Sequence, residues 1–391
     1  MSSIASVSQQ HAPPQKGSRL EFIDLLRGWA VFIMIETHVT NALLIQSYRE
    51  TWWFDYLDFF NGLVAPSFLF CAGCGLWIAI NRKWDDYVNF RKPLWKYLGR
   101  MLWILGVAYA LHLPEFSMRY LLSAFTPADA ETFFQIDILH TIVVTSVFAV
   151  GIILITRNKN ILLWTSILLS VLLIVFAPII WAAAQGGEFS VIVRNMLTET
   201  PRSYFPFVPW SAFVFIGIIA TKLYMDAVDK ARFFKRLFII GLLATSVGII
   251  FQLWYNPYPW QLWRSTPIFF AKRIGLVFIA FAALWRYTER TKTKPANKRF
   301  RLFLLFGRES LLVYTVHLII VYGSVANRGI AAAYVQTFTP LQCLGVDAIL
   351  IPIMVVMAFV WSYLKTNYLT TSKVIQYAIA AVFLFFLIIN K

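Results

Sequence analysis

The chain has 391 residues, of which 59% are hydrophobic and only 14% charged, with a formal net charge of +16. That balance excludes an ordinary soluble globular domain and predicts a polytopic membrane protein. The positive excess does not point to nucleic acid, because the Lys and Arg residues stand in short runs between apolar segments, as the positive-inside rule describes.

Residues 1–18 are polar, contain His11-Ala12-Pro13-Pro14, and lack the apolar stretch and cleavage site of a signal peptide. They read as a disordered cytoplasmic tail. Residues 19–391 read as one all-α membrane domain. Apolar runs of roughly twenty residues predict about eleven transmembrane helices, near 22–45, 57–80, 94–112, 133–155, 160–182, 206–224, 234–254, 266–286, 301–324, 340–364 and 374–390. Basic connections at Arg82-Lys83, Arg91-Lys92, Arg157/Lys159, 230–236 and 290–301 fall on one side. This predicts a cytoplasmic amino terminus and an extracytoplasmic carboxyl terminus. The opposite loops are aromatic and proline-rich: "TWWFDY" (51–56), "YFPFVPW" (204–210) and "LWYNPYPWQLW" (253–263). They suit an interfacial belt, or a platform on which a sugar or lipid headgroup stacks. "CAGC" (71–74) reads as small residues for close helix packing, since no thioredoxin-like context surrounds it.

Polar residues inside the apolar segments carry the chemistry, because each charge near the bilayer centre costs about 3 kcal/mol by insertion scales. In "RLEFIDLLRGWAVFIMIETHVT" (19–40), Arg27 and His38 are eleven residues apart, so they share one helix face about 16 Å apart along the axis. Asp24 falls one turn before Arg27, where it can pair with the guanidinium. Glu36 points away from His38 and belongs to another contact. Four of the five histidines (His38, His112, His140 and His317) fall in the outer half or at the outer surface. Asp137 and His140 are close enough to act together. Ser310, Tyr314 and His317 line one face after Arg308 and Glu309 at the cytoplasmic start, and Arg273 lies one or two turns into its span from outside. No Walker loop, dinucleotide fingerprint, HExxH or nucleophile elbow is present. No close histidine pair has helical ligand spacing, so no metal is expected.

The segment 19–40, with Arg19, Asp24, Arg27-Gly28 and His38, resembles the first helix of the transmembrane acyltransferase superfamily. Its R-x10-H spacing is similar to that of the bacterial acyltransferase-3 proteins. "NGLVAPSFLFCAGCGLWIAI" (61–80), "FPFVPWSAFVFIGIIAT" (205–221) and "GRESLLVYTVHL" (307–318) look like segments of the heparan-α-glucosaminide N-acetyltransferase branch. The resemblance implies a bacterial inner-membrane enzyme that moves an acyl group, acetyl foremost, from cytoplasmic acyl-CoA to a hydroxyl or amine of an extracytoplasmic sugar or glycan. It maps the motif histidine to His38 and the motif arginine to Arg27. One departure stands out: the heparan enzymes, as the resemblance aligns them, have asparagine at the position of His38 and their histidine further along, near Arg49 of this chain.

On these grounds His38, Asp137, His140 and His317 are candidate catalytic residues. Arg19, Asp24, Arg27 and Arg308 are candidates for holding the donor, and Arg273 and Tyr314 for the acceptor. A neutral His38 suits a general base, with an acyl-histidine intermediate equally compatible. Arg273, Tyr314 or His317 would stabilise the oxyanion. Acyl-CoA enters as donor substrate, with no permanently bound cofactor. The expected partners are the lipid bilayer, acyl-CoA and a glycan acceptor, with self-association admitted and nucleic acid excluded. The competing reading is a transporter or flippase using the same buried charges as a proton or substrate path.

Overall fold

The computed structural model describes residues 20–254, 259–291, 298–325 and 327–390. The tail 1–18 and Arg19 lie outside them. Among the described residues the architecture is helical, with no named strand and two isolated bridges, Leu44 with Phe338 and Ser324 with Asn327. The long helices are α1 (Glu21–Leu43), α2 (Trp52–Asn61), α3 (Val64–Arg82), α4 (Lys92–Leu111), α5 (Ile138–Thr156), α6 (Lys159–Gly186), α7 (Phe207–Asp226), α8 (Lys230–Trp254), α9 (Pro267–Thr291), α10 (Lys298–Arg308), α11 (Ser310–Val321), α12 (Pro340–Asn367) and α13 (Leu369–Ile389).

Eight spans in this set are long and apolar enough to cross a membrane, or nine if α10 and α11, bent by 83°, count as one. The expected total of about eleven is not reached on length and apolarity alone. The remaining long helices, α1 with 23 residues and α4 with 20, carry the charges that interrupt their apolar surface: Glu21, Asp24, Arg27 and Glu36 on α1, and Lys92, Lys96 and Arg100 on α4.

Local sequence sets several helix starts. Asp137 caps α5 by accepting from the His140 backbone N–H, and Thr339 caps α12 in a reciprocal capping box, with Pro340 following where its missing N–H costs nothing. Asn158 caps α6 by accepting from the backbone N–H groups of Asn160 and Ile161.

Helix α1 is the centre of the bundle, packed against α3, α9, α10, α11 and α12. Its closest crossings depend on glycine. A Cβ on Gly28 would run into the carbonyl oxygen of Phe303, and one on Gly307 into that of Asp24, so α1 and α10 meet backbone to backbone. Gly73 and Gly217 do the same for α3 and α7, against the carbonyls of Val214 and Phe70. Cys71 and Cys74 are buried free thiols within this packing. They point at the carbonyl oxygens of Ile23 and Gly217 respectively, as the close-packing reading expected. Large apolar side chains along α6, α8, α12 and α13 face outward, which suits lipid contact.

Hydrogen bonds fix which helix ends share a face. At the end of α1, Phe338 N–H donates to Leu43 O at 2.8 Å and Ile45 N–H donates to Phe338 O at 3.0 Å. Helix α12 therefore starts where α1 ends. It finishes where α1 begins, since Glu21, Arg308 and Asn367 line one cavity. Helix α13 returns to the far face, where Asn390 Nδ2 donates to Phe116 O at 2.6 Å and Ser117 Oγ donates to Asn390 O at 2.9 Å. The first described helix thus begins at one face and the last ends at the other.

Candidate active site

The site assembles at the far end of α1. Ile136 is tied to the loop before α7: its N–H donates to Ser203 Oγ at 2.8 Å, and its carbonyl accepts from the N–H groups of Tyr204 and Phe205. The next residue, Asp137, is thereby fixed as the cap of α5. Its carboxylate is a hub for four donors. Oδ1 accepts from His140 N–H at 3.0 Å and from His140 Nδ1 at 2.7 Å. Oδ2 faces His112 Nε2 at 3.3 Å and the Tyr314 hydroxyl at 3.3 Å. His112, just past the end of α4, stacks 5.8 Å from His140 and holds Gln135 Nε2 at 2.7 Å from its Nδ1.

Tyr314 links this hub to a second imidazole group. Its ring lies 6.0 Å from that of His317, and the His317 ring lies 5.2 Å from that of His38. His317 Nδ1 donates to Val313 O at 2.6 Å, so Nε2 bears the lone pair, and that nitrogen is buried without a hydrogen-bond partner. On the other side of His38, the Tyr322 hydroxyl lies 3.2 Å from Nδ1 and 3.4 Å from the carbonyl oxygen of His38 itself. One arrangement satisfies both contacts: the hydroxyl donates to the carbonyl and accepts from Nδ1–H. Nε2 of His38 is then left as the basic nitrogen. His140 and His317 are fully buried, whereas His38 is partly open.

The structure thus brings together His38, Asp137, His140, Tyr314 and His317, from three helices. It places Arg273 elsewhere on the far face. There its Nη1 donates to Phe59 O at 2.6 Å and its guanidinium lies against the rings of Phe59 and Phe269. At the opposite end, Arg27 pairs with Asp24 at 3.6 Å and donates to the carbonyls of Gly307 and Cys71 at 3.4 and 3.3 Å. It therefore cross-ties α1, α10 and α3. Arg308 and Arg301 line an open cavity of about 760 Å³ between α10 and α12, and Glu309 at the bend pairs with Lys365 at 2.6 Å. Arg49 donates to the carbonyls of Thr40 and Asn41 at the end of α1. Glu36 accepts from Thr40 Oγ1 at 2.7 Å, a contact separate from His38.

Sequence reasoning left His112, Gln135 and Tyr322 out of the candidate set. His112 and Asp137 are 25 residues apart and on different helices, so no local spacing joins them. The expectation of no metal rested on such spacing. In the fold, ligand atoms of His112, Asp137 and His140 all lie within 4.8 Å of one another.

An apolar helix bundle with a buried imidazole–carboxylate cluster near one face defines an integral membrane protein built around a polar site. Residues 19–256 match the catalytic region of heparan-alpha-glucosaminide N-acetyltransferases, and the chain belongs to that family. A search of curated proteins finds no match. The family match includes His38, His112, Asp137 and His140, while Tyr314, His317 and Tyr322 come from the chain beyond it.

Proposed function

We propose that the protein transfers an acyl group, acetyl foremost, from acyl-CoA at the near face to a hydroxyl or amine of a sugar or glycan at the far face, with His38 as general base. The near face is then cytoplasmic, in the inner membrane of a bacterium. The observation that carries this reading is the state of His38: a partly open imidazole whose Nδ1 is occupied by Tyr322, leaving Nε2 to accept a proton.

His38 and Arg27 lie about 16 Å apart along α1, a distance suited to a donor whose phosphates and thioester are joined by an extended arm. Arg308 and Arg301 at the cavity mouth offer guanidinium groups to those phosphates. Asp24 and Arg27 stand behind them. The acceptor oxygen or nitrogen attacks the thioester carbonyl while Nε2 of His38 takes its proton. The C–S bond then breaks, and the proton passes to the departing CoA thiolate. Asp137 holds His140, His112 and Tyr314 in place around the far-face site. Tyr314 and His317 commit their polar hydrogens to Asp137 and Val313, and Arg273 is held on Phe59 O away from His38, so stabilising the oxyanion falls to the Tyr322 hydroxyl once it leaves its long 3.4 Å contact with the His38 carbonyl.

The test is purified protein with labelled acetyl-CoA and a mixed glycan pool, comparing wild type with His38→Ala. Loss of acceptor labelling in the variant supports the assignment. Equal labelling by both removes His38 as the base, and labelling by neither removes the acetyl donor.

A further inference from the structure

We propose that His112, Asp137 and His140 bind a divalent transition-metal ion, with zinc the best fit. Three features of the cluster point to it.

The donor set is two imidazoles and one carboxylate from two segments, the end of α4 and the start of α5, which suits zinc and is poor for magnesium or calcium. The contacts on Asp137 are also uneven. Oδ1 has a short partner in His140 Nδ1 at 2.7 Å, whereas Oδ2 faces His112 Nε2 and the Tyr314 hydroxyl both at 3.3 Å. Charge-assisted hydrogen bonds usually close to about 2.7–2.9 Å. Nitrogen and oxygen ligands that share one zinc at about 2.0–2.2 Å stand about 3 Å or more apart, so the 3.3 Å between Oδ2 and His112 Nε2 suits a common ion, with Oδ2 rather than Oδ1 as the carboxylate ligand.

The outer contacts, finally, fit ligand tautomers. With Nε2 of His112 on the ion, its Nδ1–H meets Gln135, 2.7 Å away, whose amide presents oxygen once turned over. With Nδ1 of His140 on the ion, its proton moves to Nε2. That atom is buried without a hydrogen-bond partner, and the Tyr109 ring stands edge-to-face with the imidazole, 4.7 Å between centroids. Three protein ligands leave a fourth position, with Tyr314 beside it, as in zinc sites that bind a water or substrate.

This site goes beyond the acyl-transfer reading, and its test needs no acyl donor. The full-length protein, purified in detergent and stripped with chelator, is titrated with Zn²⁺ and, separately, with Co²⁺. Bound metal is counted by mass spectrometry and the cobalt followed by its visible absorption. Wild type should take one ion per chain. His112→Ala, whose side chain is 14% exposed and lies past the end of its helix, should lose it while staying monodisperse. Gln135→Ala should weaken binding about tenfold, as outer-sphere changes do. His38→Ala and Cys71→Ser should bind as wild type does. A wild-type protein that takes up no stoichiometric metal, or a His112→Ala variant that binds as well as wild type, overturns the proposal.

Discussion

Asp137→Ala should be among the most damaging single changes on the far face. The carboxylate caps α5, a role worth about 1 kcal/mol. It also receives His140 Nδ1, His112 Nε2 and the Tyr314 hydroxyl. Each of those bonds contributes about 1 kcal/mol net, and the two at 3.3 Å less than the one at 2.7 Å. The sum is about 3 kcal/mol. Asp137→Asn keeps the cap and one accepting oxygen, so its cost should be about half of that. The assay is unfolding in mixed micelles by a denaturing detergent, near neutral pH and with chelator present so that no metal contributes. A double-mutant cycle with His112→Ala should return a coupling of about 0.5–1 kcal/mol. If Asp137→Ala loses less than about 1 kcal/mol, or Asn is as harmful as Ala, the carboxylate is not the hub described.

The two glycine crossings give a second prediction. Gly73→Ala and Gly217→Ala should each cost about 1–3 kcal/mol in the same assay. Their double variant should cost less than the sum, because either one already separates α3 from α7; strict additivity would contradict the shared crossing. Glu199, in the loop before α7, carries a pH dependence. Burial pushes its carboxyl up to about 7, against the pull of Arg264 at 2.9 Å. A carboxyl raised in the fold binds its proton more tightly than in the unfolded chain. Its stabilising effect is therefore full below the ordinary value of 4.5 and lost as pH rises through about 7. Wild type should lose more stability than Glu199→Gln between those limits, and parallel pH profiles would refute this. Tyr322→Phe removes the acceptor of His38 Nδ1–H. It should lower turnover about tenfold with little change in KM, and nitrogen NMR should report mixed His38 tautomers; an unchanged tautomer would remove Tyr322 as a positioning residue.

Much of the layout was legible in sequence because membrane helices announce themselves by apolar length. The shared face of Arg27 and His38, the separate contact of Glu36 and the close packing of "CAGC" all follow from helical periodicity and residue size. What periodicity could not supply was the meeting of distant segments. His112 reaches Asp137 only because α4 and α5 pack side by side, and Tyr322 reaches His38 only because α11 crosses α1. Arg27 was expected from its spacing to pair with Asp24 and to hold the donor, yet its guanidinium is also occupied by carbonyls of two neighbouring helices. Spacing along one helix does not reveal what the neighbouring helices bring to it. The span count suffered for a related reason: the charges that disqualify α1 as a simple apolar span are ones it carries into the centre of the bundle.

Acyl transfer across the bilayer through His38 is what separates an enzyme from a transporter here. It is tested most directly in sealed proteoliposomes of known orientation, with labelled acetyl-CoA confined to the near face and glycan acceptor to the far face. Label should be covalently joined to the far-face acceptor, with free CoA on the near face in equal amount, and both should be abolished in His38→Ala. Label that crosses unchanged, or an acceptor modified equally well by the variant, would contradict it.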